Sequence, residues 1–548
     1  MLAFGYLILP ALVAVIQTSL VRSGSESTLT LEHYASIFDE GSVLGPLLNT
    51  LVFAIGSTLM AVTLGGTLAW LVARTNTPLR SVGHVATFTS FALPFILYTI
   101  AWLFVLGRGG PINKALMAGM NLSEPPLNPY TMPVMIFVEG LLWSPLSFLM
   151  LYSMFLAMDP SLEESAATSG ATTWAIMRRI TLPLCSPALL SVALLVFIRS
   201  FESFDIPALV GLPGHISVLS TGIYLRTRVT PADYGGASAF AVLLMGLVLA
   251  ALQLYSRTTR EVGRFATISG KAYRPRPFDL GRWRILAAAF VALYVLVLLV
   301  IPVALILWAS FMPYYTPPSP ESIGLITLAN YGKVLNDPAF VSSLRNSLIA
   351  AGGGAVGVVV LAALASWLVV KTKLAGRRWL DQLGSLPLVF PAIVLGLAYM
   401  QLYLRIPVPI YNTLWILSLA YVTRFLPYGM RHISSAMSQL STELEEAAAA
   451  SGSGFWTTFR KVVLPLLAPA LLGTVIFIFM ISTKELSMSV LLSGPRTQVM
   501  SVAFFQLWNN GQATQVAAFG VLWAAVLAAL TTTMFAVGRR FGLQFQPR

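Results

Sequence analysis

The chain is short of the residues that build most catalytic and metal centres. It has one cysteine, Cys185, and four histidines. That excludes an internal disulfide and leaves no clustered ligand set for a catalytic metal. Charge is scarce too. Asp, Glu, Lys and Arg make up 10% of the 548 residues, against about 25% in soluble domains. Hydrophobic residues reach 57% and mean hydropathy is +0.79. A soluble fold of this composition would have too little polar surface to cover its core. A bilayer is the solvent that fits, with lipid as one partner. No G-x-x-x-x-G-K-[ST] phosphate loop is present. SGKAY at 269–273 lacks the first glycine and the Ser or Thr, so it is a chance Gly-Lys in a linker. The expectation is a chain that hydrolyses no ATP and carries no cofactor. The formal charge of +13 would point a soluble protein towards nucleic acid. Here no nucleic-acid partner is expected, and the charge asks on which side of a membrane the basic residues fall.

A spanning helix needs roughly 20 mainly apolar residues. Twelve stretches qualify, at about 2–20, 47–72, 84–107, 131–155, 187–210, 236–255, 286–309, 344–369, 383–403, 411–430, 468–491 and 514–537. Only the short RIPVP turn separates 383–403 from 411–430. With the N-terminus placed inside, 22 of the 34 Lys and Arg fall on the inner side and nine outside. This bias predicts both termini in the cytoplasm. MLAFGYLILP has no basic residue ahead of its apolar run, so it reads as the first span and not as a signal peptide. Arg22 falls on the wrong side locally, so a truncated start is an expectation.

The chain also repeats itself. LEHYASIFD at 31–39 matches LANYGKVLND at 328–337, and Asn49-Thr50-Leu51 matches Asn346-Ser347-Leu348 at an offset of 297. Trp70 falls on Trp367 and Pro94 on Pro391 at that same offset. Beyond the longer first-half loop, where GRGGPINKALMAGMNLSEPPLNPY stands against LRIPVPIY, the offset drops to 282. Pro145 then matches Pro427, and Pro213 matches Pro495. The expected organisation is one half at 1–255, a basic, proline-interrupted cytoplasmic linker at 256–285, and a second half at 286–548. Six spans is an even number, so both halves share one orientation, and a pathway between them is the natural inference.

One polar paragraph occurs twice: LEESAATSGATTWAIMRRITLPLCSPALL at 162–190 and LEEAAAASGSGFWTTFRKVVLPLLAPALL at 444–472. In the second copy, acidic residues precede a run of alanines, which favours a helix with carboxylates near its start. Gly452 then permits a left-handed turn. A second amphipathic segment follows, carrying Trp456, Phe459, Val462 and Leu464, and Pro465 and Pro469 close it. Glu163, Glu164, Gly170, Trp174, Ile176, Ile180, Leu182, Pro183 and Pro187 repeat the design. The result is a helix-turn-helix elbow offering an apolar and acidic knob. One such copy is explained as well by a connector. Two at matched positions imply a partner protein.

The pattern E-A-A, three residues, G, nine residues, I, one residue, L-P resembles the signature of importer-type ABC permeases. Glu446, Ala447, Ala448, Gly452, Val462, Leu464 and Pro465 fit it, with Val for Ile. Glu164, Ala166, Gly170, Ile180, Leu182 and Pro183 fit with Ser165 for the first Ala. The resemblance implies an all-α integral membrane protein of about 12 transmembrane helices, arranged as two tandem six-helix type I permease halves. It implies ATPase-coupling loops at the residues just named together with Trp174 and Trp456. These would dock on separate cytoplasmic ABC ATPase subunits, two copies of them, and a periplasmic solute-binding protein would deliver the solute. The location implied is the bacterial inner membrane, and the direction is inward, by alternating access.

Charges within spans are costly and usually functional. FIRSFESFDIPALVG carries Arg199 and Glu202, three apart on one helix face, with Asp205 continuing that face; ISTKELSMS carries Lys484 and Glu485. In the family resembled, the fifth span of each half lines the path, which places these five residues there. An intramolecular charge pair that only holds the protein together is the competing reading. Arg424 is expected to snorkel at the inner end of its span. Fusion of both halves and motifs such as FESFDIPALVG and NYGKVL most resemble ferric-iron permeases. Thiamine, aminophosphonate and polyamine systems stay open as alternatives. A proton-coupled carrier of two six-span halves stays open as a different class.

Overall fold

The structure is a computed structural model that describes residues 2–22, 28–39, 42–159, 161–262, 277–441 and 443–540. Most of the basic linker, 263–276, lies outside these residues, as does Arg548. Among the described residues the secondary structure is helical, with two isolated bridges and no strand. A bilayer demands this, because a helix satisfies its own backbone without water.

Among the described residues, ten helices are long and apolar enough to cross a membrane: Ala3–Leu20, Leu44–Arg74, Phe95–Met120, Met132–Ala157, Trp174–Phe201, Tyr234–Arg257, Trp283–Ser310, Pro338–Lys371, Trp456–Ser482 and Ala513–Met534. The number rises to 12 if each of two sharply bent helix pairs is one span. The stretch read at 411–430 is a helix, Leu414–Ser438, but it is not among these ten. It carries Arg424, Arg431, His432 and several serines, and much of its body is buried in protein.

The stretches at 84–107 and 383–403 are broken at the repeated prolines. Arg80–Ser90 stops before Pro94, which caps Phe95–Leu106. Likewise Pro391 caps Ala392–Arg405, which turns 104° from Arg377–Val389. Proline donates no N–H and disfavours helix in the residue before it.

The chain forms two compact units. One comprises residues 37–222 and 246–326; the other comprises 1–36, 223–245 and 327–548. In the first, Leu44–Arg74 lies along Met132–Ala157. Gly65 sits against the backbone of Ser144 and Phe148, so any side chain there would strike main chain. Trp283–Val295 joins this unit, and its Tyr294 hydroxyl meets Ser144 Oγ at 2.9 Å. The Tyr315 hydroxyl donates to Phe104 O at 2.6 Å, with the two rings stacked. Leu48, Val52, Ile55 and Leu59 are exposed along one stripe of Leu44–Arg74. Such a stripe suits lipid.

In the second unit, Pro338–Lys371, Leu414–Ser438 and Leu464–Ser482 share a core of Trp367, Leu426, Met430, Phe459 and Val463. Phe4 of Leu2–Leu20 is buried in that same core. The Tyr399 hydroxyl donates to Leu7 O at 3.0 Å, fastening the N-terminal helix to Ala392–Arg405.

Candidate functional site

Both copies of the polar paragraph fold into an elbow. The first arms are Ser161–Thr168 and Glu443–Ala450, with Glu163, Glu164, Glu443, Glu445 and Glu446 in their first turns, where the helix dipole favours carboxylates. Gly170 and Gly452 then take φ of +84° and +79°. Ala171 N–H donates to Ala166 O, and Ser453 N–H to Ala448 O, each at 3.0 Å. This is the Schellman closure, in which a glycine leaves the helix left-handed.

The second arm departs from the sequence reading. Pro183 and Pro465 do not close it. Thr173–Ile176 runs through a π-helical turn, Met177–Thr181, straight into Leu182–Phe201. Phe455–Thr458 runs through Phe459–Val463 into Leu464–Ser482 in the same way. Leu182 N–H reaches Met177 O, and Leu464 N–H reaches Phe459 O. Each proline lies just inside the following helix, where its missing N–H is cheaply accommodated. The second arm is therefore a continuation of the fifth span.

At the elbow surface, Trp174 and Trp456 are 64% and 61% exposed. Glu446, Ala447, Leu182, Pro183 and Pro465 are exposed as well, while Glu164, Ala166, Ala448, Ile180, Val462 and Leu464 are half-buried.

Sequence reasoning named Glu163 and Glu445 among the acidic residues that open each first arm but gave neither a partner. Glu163 is buried and pairs with Arg74, the last residue of Leu44–Arg74. Thr181 Oγ1 donates to its other oxygen at 2.5 Å. Arg74 also donates to Met158 O at 3.4 Å. In the second copy, Glu445 lies 3.0 Å from Lys371 Nζ, and Lys371 donates to Leu440 O at 2.7 Å. Arg74 and Lys371 stand at the 297 offset; Glu163 and Glu445, like Met158 and Leu440, stand at 282. The alignment already held this signal, but no pairing rule connects residues so far apart in the chain.

The charged residues of the fifth spans lie where the helix stops. Leu182–Phe201 ends before Glu202, and Arg199 pairs with Glu202 at 2.7 Å. Asp205 does not continue that face, because the chain bends between them and resumes as Pro207–Gly214, which meets Leu219–Arg228 at 75°. In the second copy, Leu464–Ser482 ends before Lys484 and Glu485. Glu485 accepts from Met488 N at 3.1 Å and Ser489 Oγ at 3.0 Å, which caps Ser489–Leu492.

The repeated Asn-Thr and Asn-Ser pairs hold the segments beyond these breaks. Asn49 Nδ2 donates to Ser217 O at 2.9 Å, and Leu219 N–H donates to Thr50 Oγ1 at 2.9 Å. Asn346 Nδ2 donates to Gln498 O at 3.0 Å, and Met500 N–H donates to Ser347 Oγ at 2.6 Å. Ser220 and Ser501 then donate back to Ser203 O and Glu485 O, at 2.6 and 2.7 Å. Arg424 does not snorkel. It is 7% exposed and donates to Phe390 O, at the break beside Pro391. A carbonyl freed at membrane depth needs such a donor.

This duplicated, all-helical membrane architecture with paired elbows is that of a transport permease. The chain belongs to the family described as the binding-protein-dependent transport system inner membrane component, whose model matches residues 43–262 and 355–542. It is similar to the putative ferric transport system permease protein FbpB 1 of Haemophilus influenzae, 26% identical over 92% of this chain and 78% of that protein. The probable ABC transporter permease protein y4fN of Sinorhizobium fredii is also 26% identical, over 99% and 95%. The putative 2-aminoethylphosphonate transport system permease protein PhnU of Salmonella typhi is 27% identical over 44% of this chain and 83% of its own. Among solved structures, a bacterial ABC transporter involved in the import of the acidic polysaccharide alginate matches at 15% identity and a TM-score of 0.39, over 48% of this chain and 97% of that one.

Proposed function

We propose that this chain is the permease subunit of an ATP-driven importer that moves ferric iron inward by alternating access. The observation that carries the reading is the elbow, built twice with the same Schellman glycine, the same π-helical turn and the same exposed tryptophan. In this reading, 1–255 and 286–548 act as the two halves, joined by 256–285, with both termini and both elbows in the cytoplasm. Two ATPase subunits dock on the elbows through Glu164, Ala166, Trp174, Ile180, Leu182 and Pro183, and through Glu446, Ala447, Ala448, Trp456, Val462, Leu464 and Pro465. Gly170 and Gly452 set the angle at which each knob is presented. A periplasmic binding protein delivers the solute. Arg199, Glu202, Asp205, Lys484 and Glu485 border the path, at the points where the spans break.

Relatives named as ferric transport permeases and aligned over nearly the whole chain support iron as the solute. The shorter match to an aminoethylphosphonate permease keeps that solute as the second reading. The test is reconstitution with the partner ATPase and binding protein in proteoliposomes. ATP-dependent accumulation of ferric iron, with thiamine, polyamine and 2-aminoethylphosphonate left outside, is the expected result. Accumulation of any of the other three in place of iron would overturn the solute, and uptake driven by a proton gradient without ATPase would overturn the mechanism.

A further inference from the structure

Every elbow arm must be fastened to the membrane bundle if motion at one is to reach the other. The second arm is continuous with its span, so it is already fastened. The first arm, Ser161–Thr168 or Glu443–Ala450, hangs between a loop and a glycine turn. What ties it inward is the glutamate before each motif.

Glu163 is 1% exposed, yet it belongs to the short polar helix that begins the knob. One carboxylate oxygen takes Arg74, at the end of the second span, and the other takes Thr181, in the π-helical turn of the second arm. One side chain thus joins three elements: first arm, second arm and second span. Arg74 adds a fourth through Met158 O, at the end of the preceding span. A buried charge is tolerated only when it is paired and hydrogen-bonded, so this carboxylate stays seated only while all of these elements keep their places.

The second elbow uses a different latch. Lys371 and Glu445 occupy the equivalent positions, but Glu445 is 22% exposed, and Val463 stands where the first copy has Thr181. An aromatic relay replaces the lost hydroxyl. Exposed Trp456 stacks on Phe459 at 5.6 Å, and Phe459 stacks on buried Trp367 of the second-span helix at 4.3 Å. In the first copy, Met177 stands where Phe459 stands in the second. One elbow is therefore latched by a fully buried ion pair, the other by stacked rings plus a pair whose lysine is buried and whose glutamate is partly exposed.

We propose that Arg74–Glu163–Thr181 and Lys371–Glu445 with Trp367–Phe459–Trp456 are two unlike tethers that force each elbow to move as one body with the second span. These are positioning residues, and the proposal rests on the elbows being the ATPase docking sites. Spin labels at the exposed Thr168 and Thr63 report the first elbow; labels at the exposed Ala450 and Val360 report the second. The full complex is measured nucleotide-free and with ATP trapped, alongside iron imported per ATP hydrolysed. In the parent complex the label distances hold constant between states. Glu163→Gln lets the first distance change on ATP binding, and import per ATP falls at least about five-fold, the lower end of typical coupling, while the ATPase still co-purifies. Trp367→Ala does the same at the second elbow only. Arg74→Lys retains coupling, and the exchange Lys371→Glu with Glu445→Lys restores what either single change loses; it serves if the buried variants fail to fold. Constant distances with an unaltered import ratio in Glu163→Gln and Trp367→Ala overturn the tethers alone. Failure of the parent chain to bind any ATPase overturns the docking reading and the tethers with it.

Discussion

Gly170 and Gly452 hold a left-handed backbone with open space where a side chain would stand. Substitution is therefore penalised by conformation and not by collision. A left-handed conformation costs an L-residue about 1–2 kcal/mol, and Asn bears it best. Gly452→Asn should keep most transport and Gly452→Val should lose it, at equal membrane abundance, which an uptake assay with quantitative blotting checks. Asn346 is a second case. Asn346→Ala frees the carbonyls of Arg496 and Gln498. It should cost about 1–3 kcal/mol, read as a lower thermal midpoint in detergent. The glycines were legible because glycine alone takes that backbone without steric cost, and the doubled motif marked the place. Asn346 was legible as a repeat, but its partners are 150 and 152 residues away, and nothing local announces such a bond. Glu163 was legible as part of the doubled elbow, but its partner Arg74 stands 89 residues away, and nothing local announces that pair either.

The helices break at depths where a bilayer favours unbroken ones. Pro94 and Pro391 cause two of these breaks, and their match at one offset was visible in the sequence. Their effect was not visible, because hydropathy averages across a kink. The stops after Phe201 and Ser482 have no proline at the point of ending; they are held by bonds from residues far along the chain. Each break leaves backbone that needs a partner, and Arg424 supplies one to Phe390 O. Arg424→Met should therefore destabilise the second unit, seen as faster proteolysis near 390, although methionine is the more lipid-like side chain. The π-helical turns make a sharper case. Inserting one alanine after Lys461 adds a residue to a helix that already holds its bulge at Phe459–Val463, and one residue more rotates what precedes it by about 100°. The second arm would still form, but Trp456 would face elsewhere. ATPase co-purification should fall while the variant remains folded by circular dichroism.

At the scale of the molecule, the duplication and the membrane class could be read from composition and offset alone. The make-up of the two compact units could not, because hydropathy says where helices are and not which of them pack together. Tyr294 reaches Ser144 within one unit, and Phe4 enters the core of the other. A chain ending at residue 262 should leave the 37–222 region open to protease in membranes, and a chain ending at 326 should protect it. Limited proteolysis of the two truncations makes the comparison.

That packing has a bearing on biosynthesis. The opening helix leaves the ribosome more than 300 residues ahead of the stretch, 327–548, that will cover it. The 37–222 bundle waits in turn for Trp283–Val295. Neither can settle in the order of its emergence, so the nascent chain must pass through the translocon with unfinished pieces at both ends, and these are the pieces that an insertase or a quality-control protease would meet first.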